Sequence, residues 1–111
     1  MKLSVIIPTY NEEKVVGECI SALDKQTYHD FGIKVVDDGS TDGTLDVLKH
    51  FRDKIDNLKI LGQKHEGPGA ARNLGAKEAR EDVLVFVDAD MTFDRNFLKN
   101  LVRPIVSGRA K

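Results

Sequence analysis

Two aspartates separated by one alanine follow directly on an apolar run, in the stretch VLVFVDADMTFD at 83–94. Carboxylates that close a buried strand repel each other unless positive charge offsets the repulsion. Oxygen ligands without histidine or cysteine support suit Mg²⁺ or Mn²⁺, and two carboxylates are too few for a closed cage. Asp88 and Asp90 therefore predict an open cation site that water and substrate phosphates complete.

Polar residues also follow two earlier apolar runs, LSVIIP and FGIKVV. The first run leads into the candidate site residues Pro8, Thr9, Tyr10, Asn11 and Glu12. The second run leads into Asp37, Asp38 and Gly39. Tyr10 offers an aromatic wall for a ligand, and Asp37 or Asp38 can accept a hydrogen bond from a base or a ribose.

A glycine-containing stretch, GPGAARN at 67–73, adds flexible backbone, a helix N-terminus and the guanidinium of Arg72 for phosphate charge. These features have structural alternatives, because DDGSTDG also fits a capped turn and Arg72 also fits a solvated helix position. The DAD sequence is harder to explain by packing, since two carboxylates ending a buried strand stabilise nothing by themselves.

The elements that position these residues alternate between apolar runs of strand length and segments of helical period. Four strand-helix units in a row predict an α/β fold, with an open, mostly parallel sheet and helices on both faces. Ligands of such sheets bind beyond the carboxyl ends of the strands, where the strand order reverses. The polar residues of three strands are therefore expected to converge on one edge of the sheet.

Individual boundaries are also predicted. Asn11 is expected to cap the first helix, the third helix to cover 70–80, and Asp94 to cap a last helix that Pro104 disrupts. Small residues such as Gly75 are expected to bring the third helix close to the sheet. The unbroken run VLVFV predicts a fourth strand that is buried on both faces.

Composition limits the function classes. With 111 residues the chain is expected to form one domain over 1–111, without repeats or a linker. A formal net charge of -1 gives no overall attraction to nucleic acid or to anionic lipid, so no nucleic-acid partner is expected. No apolar run is long enough for a membrane helix, and the acidic start is unlike a signal peptide, so a cytoplasmic location is expected.

Several other motifs are excluded. The chain has no GxGxxG after the first strand and no GxxxxGK[ST], which excludes a classical dinucleotide fold and a P-loop. His29, His50 and His65 are isolated and lack metal-ligand spacing, so they are expected to be surface or loop residues. Cys19 is the only cysteine, which excludes an internal disulfide, and its place on an apolar helix face predicts a small core residue.

Four stretches together resemble the nucleotide-binding half of a family 2 glycosyltransferase of the GT-A fold. They are VIIPTYNEE, VVDDGSTDGT, GPGAARNLG and FVDADM, in the order and spacing of that family, and they span essentially the whole chain. The resemblance implies a nucleotide diphosphate sugar as donor, a divalent cation held by the DxD motif, and inversion at the anomeric carbon.

The resemblance also implies roles for residues of this sequence. Asp90 resembles the direct metal ligand, and Asp88 resembles the partner near the ribose and the metal-bound water. Asp38 is similar to the base-binding aspartate, which favours a UDP-linked sugar. The other positions that the resemblance implies for the nucleotide pocket are Pro8, Tyr10, Glu12 and Arg72, and Thr9 lies among them in the first motif.

The sequence departs from the family after its fourth strand. The acceptor-binding portion, where the family carries its catalytic base, is expected to lie outside these 111 residues, so no catalytic residue is assigned and the acceptor stays unknown. The chain alone is expected to bind a donor, with or without turnover. An exposed sheet edge would favour a homodimer.

Two alternatives remain open at this point. VFVDADMT also resembles the DxDx[TV] motif of haloacid dehalogenase phosphatases, with Asp88 as nucleophile, Asp90 as acid/base and Thr92 as phosphate contact. That motif opens its own family's domain, whereas here it closes a run of four strands. The second alternative is a binding module that holds a nucleotide sugar or a partner protein without catalysis.

Overall fold

The computed structural model describes residues 2–79 and 83–106, in which four strands alternate with four helices. In chain order the elements are β1 (Leu3–Thr9), α1 (Val16–Asp24), β2 (Phe31–Asp37), α2 (Thr44–Arg52), β3 (Leu58–Gly62), α3 (Pro68–Glu78), β4 (Val83–Phe86) and α4 (Phe97–Val106). The alternation predicted from the sequence is confirmed.

All strand pairs of the sheet are parallel, in the order β3-β2-β1-β4. The register pairs Leu3 of β1 with Phe31 of β2 on one side and with Val83 of β4 on the other. The strand order reverses at β1, because β2 and β3 extend to one side and β4 to the other. The carboxyl ends of β1 and β4 therefore border the crevice where ligands of such sheets bind.

One face of the sheet carries the main hydrophobic core. Alternate side chains of β1 and β2 point to this face, where α1, α2 and α4 cover them. Gln26, which is buried after α1, accepts a hydrogen bond from Leu98 N at 2.9 Å and so anchors the start of α4. The core residues from the strands are Leu3, Val5, Ile7, Phe31, Ile33, Val35, Leu58 and Val85, and those from the helices include Val16, Cys19, Ile20, Leu23, Leu48, Leu98 and Val102.

The opposite face is covered by α3, which packs on β1 and β2. Gly75 permits this close approach, because a Cβ at that position would lie 2.5 Å from Ile6 Cγ2 and 3.3 Å from Val36 Cγ2. Helices on both faces and a small-residue contact by the third helix are therefore confirmed.

The expectation that β4 is buried on both faces is wrong. Leu84 is 38% exposed and Phe86 is 47% exposed, whereas Val85 between them belongs to the core. Because β4 is an edge strand and α3 packs on β1 and β2, the face of β4 that carries Leu84 and Phe86 lacks a covering helix within the described residues. An apolar run by itself does not distinguish such an edge strand from a central one.

Three helix boundaries differ from the prediction. Helix α1 begins at Val16, so Asn11 does not cap it, and α3 begins at Pro68 rather than at residue 70. Pro68 suits the first turn of a helix because the missing N–H would have no partner there. Pro104 does not end α4, which continues to Val106. Within the described ranges, none of the helices is both long and apolar enough to cross a membrane.

Candidate functional site

Asn11 joins two loops at the carboxyl edge of the sheet. Its backbone has a φ of 53°, and its Oδ1 accepts hydrogen bonds from Thr41 N at 2.8 Å and Asp42 N at 3.3 Å. Asn11 N donates to Ser40 Oγ at 2.9 Å. Asparagine tolerates this left-handed backbone better than most residues. The β1–α1 loop is therefore fixed against the β2–α2 loop.

The β2–α2 loop forms a turn held by hydrogen bonds of its own aspartates, although Gly43, the N-cap of α2, makes no side-chain cap hydrogen bond. Thr44 N donates to Asp42 Oδ1 at 2.9 Å at the start of α2. Partial burial works to raise the pKa of Asp42, but the hydrogen bonds from Thr44 and from Glu13 N lower it. Thr44 Oγ1 accepts a hydrogen bond from Glu12 N at 2.8 Å, which fixes the backbone of Glu12 beside the crevice.

Asp37 and Thr9 make hydrogen bonds within the protein that stabilise the fold. The Asp37 carboxylate is buried and accepts hydrogen bonds from the hydroxyl and the N–H of Ser40. Thr9 is 2% exposed, and its Oγ1 donates to Val36 O at 3.2 Å across the strand pair. Of the two candidate aspartates in VVDDG, Asp37 therefore closes a local turn.

Asp38 is 2% exposed, and groups of the β3–α3 loop surround its carboxylate. Its Oδ1 accepts hydrogen bonds from Gln63 Nε2 at 2.7 Å and Glu66 N at 2.8 Å, and its Oδ2 accepts one from Gly67 N at 3.0 Å. Burial works to raise the pKa of Asp38, but these hydrogen bonds and the charge of His65 together lower it. Asp38 thus holds the loop that leads into α3.

His65 links Asp38 to Tyr10. The rings of Tyr10 and His65 are stacked, with centroids 4.0 Å apart and an interplanar angle of 28°. His65 Nδ1 lies 3.0 Å from Asp38 Oδ2. Gly39, with a φ of 74°, lets the two loops approach, since a Cβ there would lie 2.9 Å from His65 N. His65 is a loop residue, as expected, but it belongs to the candidate site.

The contribution of the β3–α3 loop to the candidate site was not predicted from the sequence. GQKHEG follows β3 directly, and the rule that parallel strands end at one edge would have placed this loop beside Asp38. The position of His65 and Gln63 near Asp38 could therefore have been predicted. The direction of their side chains could not, because it depends on the backbone of the loop, which includes Gly67 at a φ of 99°.

The DAD motif leaves the sheet just after β4. Asp88 and Asp90 are exposed on either side of Ala89, which is 3% exposed and packs into the core. The chain turns here through a hydrogen bond from Met91 N to Asp88 O at 3.0 Å. Alternation between a buried alanine and two exposed aspartates therefore leaves both carboxylates open to solvent.

Arg72 and Glu12 reach the same region from other elements. Arg72 Nη2 lies 3.7 Å from Asp88 Oδ1, which brings the third motif of the sequence to the fourth. Burial, together with the charges of Asp90, Asp42 and Asp88, raises the pKa of Glu12. Beneath them, burial and then the charges of Asp90 and Asp88 raise the pKa of the Cys19 thiol to about 12. The potential around the DAD motif is therefore negative.

The residues present fit an open cation site rather than a closed one. Across residues 2–79 and 83–106, no three His, Cys, Asp or Glu side chains are grouped so that they could hold a metal ion by themselves. Asp88 and Asp90 would supply hard oxygen ligands, and a divalent cation there would offset the repulsion between their carboxylates. A ligand that carries its own phosphate oxygens would complete the shell.

The fold and this arrangement define an α/β domain with polar side chains gathered at the carboxyl edge of its sheet. The family model for Glycosyl transferase family 2 matches residues 4–111. The chain belongs to this family. The match leaves the phosphatase interpretation of DADMT without support, since that interpretation rested on the short motif alone.

Similar sequences include two enzymes whose names refer to the same polymer. The chain is 42% identical over 104 residues to poly(ribitol-phosphate) beta-N-acetylglucosaminyltransferase TarS of Staphylococcus aureus, covering 90% of this chain and 18% of that protein. It is 40% identical over 94 residues to poly(ribitol-phosphate) beta-glucosyltransferase of Bacillus spizizenii, covering 81% of this chain and 15% of that protein. The chain thus spans less than a fifth of the length of these relatives.

Solved structures share the fold. Residues 1–349 of S. aureus TarS in complex with UDP-GlcNAc match with a TM-score of 0.88 and 40% identity, over 96% of this chain and 32% of that chain. The mannosyltransferase PcManGT of Pyrobaculum calidifontis, in complex with GDP-Man and Mn²⁺, matches with a TM-score of 0.87 and 29% identity, over 92% of this chain and 31% of that chain. The expected GT-A fold is confirmed.

Proposed function

We propose that residues 1–111 form the donor-binding domain of a metal-dependent, inverting glycosyltransferase that uses a nucleotide diphosphate sugar. The observation that carries this proposal is the contact between Arg72 and Asp88, which lie 3.7 Å apart at the carboxyl edge of the sheet. Burial and the nearby carboxylates, including Asp90 and Asp88, also raise the pKa of Glu12. A cationic side chain, nearby carboxylates and, at the same edge of the sheet, the ring of Tyr10 suit a ligand that carries phosphates, a cation and a base.

The proposed roles follow the distribution of charge. Asp90, with Asp88, would hold Mn²⁺ or Mg²⁺, and Asp88 would also approach the ribose. Arg72 would neutralise phosphate oxygens, because a guanidinium matches their geometry. Tyr10 and Asp38 would receive the base, while Pro8, Thr9 and Glu12 would shape the floor of the pocket through the loop that Asn11 fixes.

The chemistry of transfer explains why these groups are needed. As the glycosidic bond breaks, the nucleoside diphosphate gathers negative charge, and groups positioned beforehand to stabilise that charge accelerate the reaction. A divalent cation held by Asp90 and Asp88 would stabilise part of that charge. Arg72 adds a fixed positive charge. Deprotonation of the acceptor hydroxyl needs a positioned base, which is not assigned to any residue described here.

A UDP-linked sugar is the favoured donor. TarS, which is 40% identical in its solved structure, was crystallised with UDP and with UDP-GlcNAc, whereas PcManGT, at 29% identity, was crystallised with GDP-Man. The acceptor is an unknown compound that carries a free hydroxyl group. We further propose a homodimer through the edge of the sheet that β4 forms.

Replacement of Asp90 tests the proposal. We expect Asp90→Ala to weaken Mn²⁺-dependent UDP binding by at least about tenfold while leaving the fold intact, because Asp90 is exposed beyond the strand. Asp24→Ala is the matched control, since Asp24 is an exposed aspartate at the end of α1. Isothermal titration calorimetry with and without Mn²⁺ measures both variants. Equal UDP affinity for Asp90→Ala and wild type would refute the metal assignment.

A further inference from the structure

The imidazole of His65 contacts both Tyr10 and Asp38. It stacks on Tyr10 at a centroid distance of 4.0 Å, and its Nδ1 lies 3.0 Å from Asp38 Oδ2 and 3.3 Å from the backbone oxygen of Asp38. The stack on Tyr10 and the contact with the Asp38 carboxylate are also the contacts that a nucleobase is proposed to make at this site. A nitrogen heterocycle of the protein itself therefore stands where the nucleobase would stand.

The surroundings of Asp38 show which of its partners can leave. The Asp38 carboxylate accepts hydrogen bonds from the partly buried side chain of Gln63 and from the backbone N–H groups of Glu66 and Gly67. The side chain of His65 is 59% exposed, whereas that of Asp38 is 3% exposed. Rotation of His65 into solvent would free one acceptor direction at Asp38 Oδ2 and one face of Tyr10, with the loop still held by its other hydrogen bonds.

We propose that His65 occupies the nucleobase subsite in the ligand-free protein and leaves it when a nucleotide binds, an inference that rests on the proposed donor site. The incoming base must replace both contacts, so it needs a flat ring for Tyr10 and a ring N–H for the Asp38 carboxylate. Uracil and guanine carry such an N–H. Cytosine carries a lone pair at the corresponding ring nitrogen, which a carboxylate repels.

Displacement of His65 reduces the apparent affinity for nucleotides, because the protein must give up the stack on Tyr10 and the contacts of His65 Nδ1 with Asp38 before the base binds. An aromatic stack contributes about 1 kcal/mol, which corresponds to about a fivefold change in affinity. Removal of the imidazole should therefore tighten nucleotide binding. A ligand without a base should not respond, since it does not enter this subsite.

The experiment compares wild type, His65→Ala and the control His29→Ala, in which an exposed histidine outside the site is removed. Calorimetric titrations use UDP and inorganic diphosphate, each as its Mg²⁺ complex. We expect His65→Ala to bind UDP about fivefold more tightly than wild type, with diphosphate affinity unchanged and with His29→Ala equal to wild type for both ligands. Thermal unfolding checks the fold, and His65→Asn provides a second variant that lacks the ring but keeps a donor for Asp38.

Side-chain NMR gives an independent measurement on the wild-type chain, whose three histidines make assignment simple. The His65 ring signals, identified by their loss in the variant, should move on UDP saturation as the ring current of Tyr10 is lost. Weaker or unchanged UDP binding by His65→Ala, or His65 signals that stay in place at saturation, would overturn this inference while leaving the donor site intact. Absence of UDP binding by wild type would overturn the proposed function as well.

Discussion

At the scale of single residues, Asp38 has a role that its place in the sequence does not reveal. Its carboxylate accepts hydrogen bonds from Gln63, Glu66 N and Gly67 N and pairs with His65. These partners lie 25 to 29 positions further along the chain. Local pattern rules do not reach that far, so the sequence predicted a ligand contact for Asp38 and missed its contribution to the loop. The proposed base contact and this structural role are compatible, because they use different acceptor directions.

Replacement of Asp38 should therefore destabilise the fold. We expect Asp38→Asn to lower the free energy of unfolding at pH 7 by about 2 kcal/mol. The new amide group would place its own N–H donors against backbone N–H groups that now donate to a carboxylate oxygen. Asp24→Asn, at an exposed position, should change it by less than about 0.5 kcal/mol. Chemical denaturation followed by circular dichroism measures both.

The effect should depend on pH in a defined direction. The pKa of Asp38 is lower in the folded protein than in the unfolded chain, so its stabilisation is present above the unfolded value of about 3.9. It is lost as pH falls through the folded pKa, where both states are protonated. The difference in stability between wild type and Asp38→Asn should narrow as pH falls below about 4. A difference that stays constant to pH 3 would contradict this account.

At the scale of elements, the sequence predicted existence and order better than boundaries. The four strands and four helices follow from the apolar runs and their periods. The start of α1 was wrong because Asn11 uses its side chain to hold the neighbouring loop rather than to cap a helix. The burial of β4 was wrong because burial depends on which strands and helices lie next to it. Neither fact is contained in the local sequence.

Gly75 tests the packing of α3 directly. We expect Gly75→Ala to destabilise the protein by about 1–3 kcal/mol, because the new Cβ would lie 2.5 Å from Ile6 Cγ2 and the helix would have to move outward. Gly69→Ala is the matched control in the same helix, since a Cβ there meets nothing within 4 Å. That control should be neutral or more stable by up to about 1 kcal/mol, through the higher helix propensity of alanine. Equal effects of the two substitutions, measured by chemical denaturation, would show that α3 does not approach the sheet as described.

At the scale of the whole molecule, parallel topology gathers distant motifs at one edge. Residues of the first, third and fourth motifs meet around Arg72 and Asp88, which lie 3.7 Å apart. The topology predicts that these two residues are close, but it does not predict the distance between them. This convergence could be predicted from the sequence, because the carboxyl ends of parallel strands all lie at the same edge of the sheet. It did not predict the negative potential shared by Glu12 and the DAD motif, since that depends on burial and on side-chain direction.

The most direct test of the donor-site account is a thermal-shift titration of the 111-residue chain with UDP, with and without Mn²⁺. A ligand that binds the native state alone raises the unfolding temperature by mass action. GDP and inorganic phosphate serve as matched ligands that change the base or remove the nucleoside. We predict stabilisation by UDP that requires Mn²⁺ and exceeds that by GDP. Stabilisation by phosphate alone, or none by either nucleotide, would contradict the account.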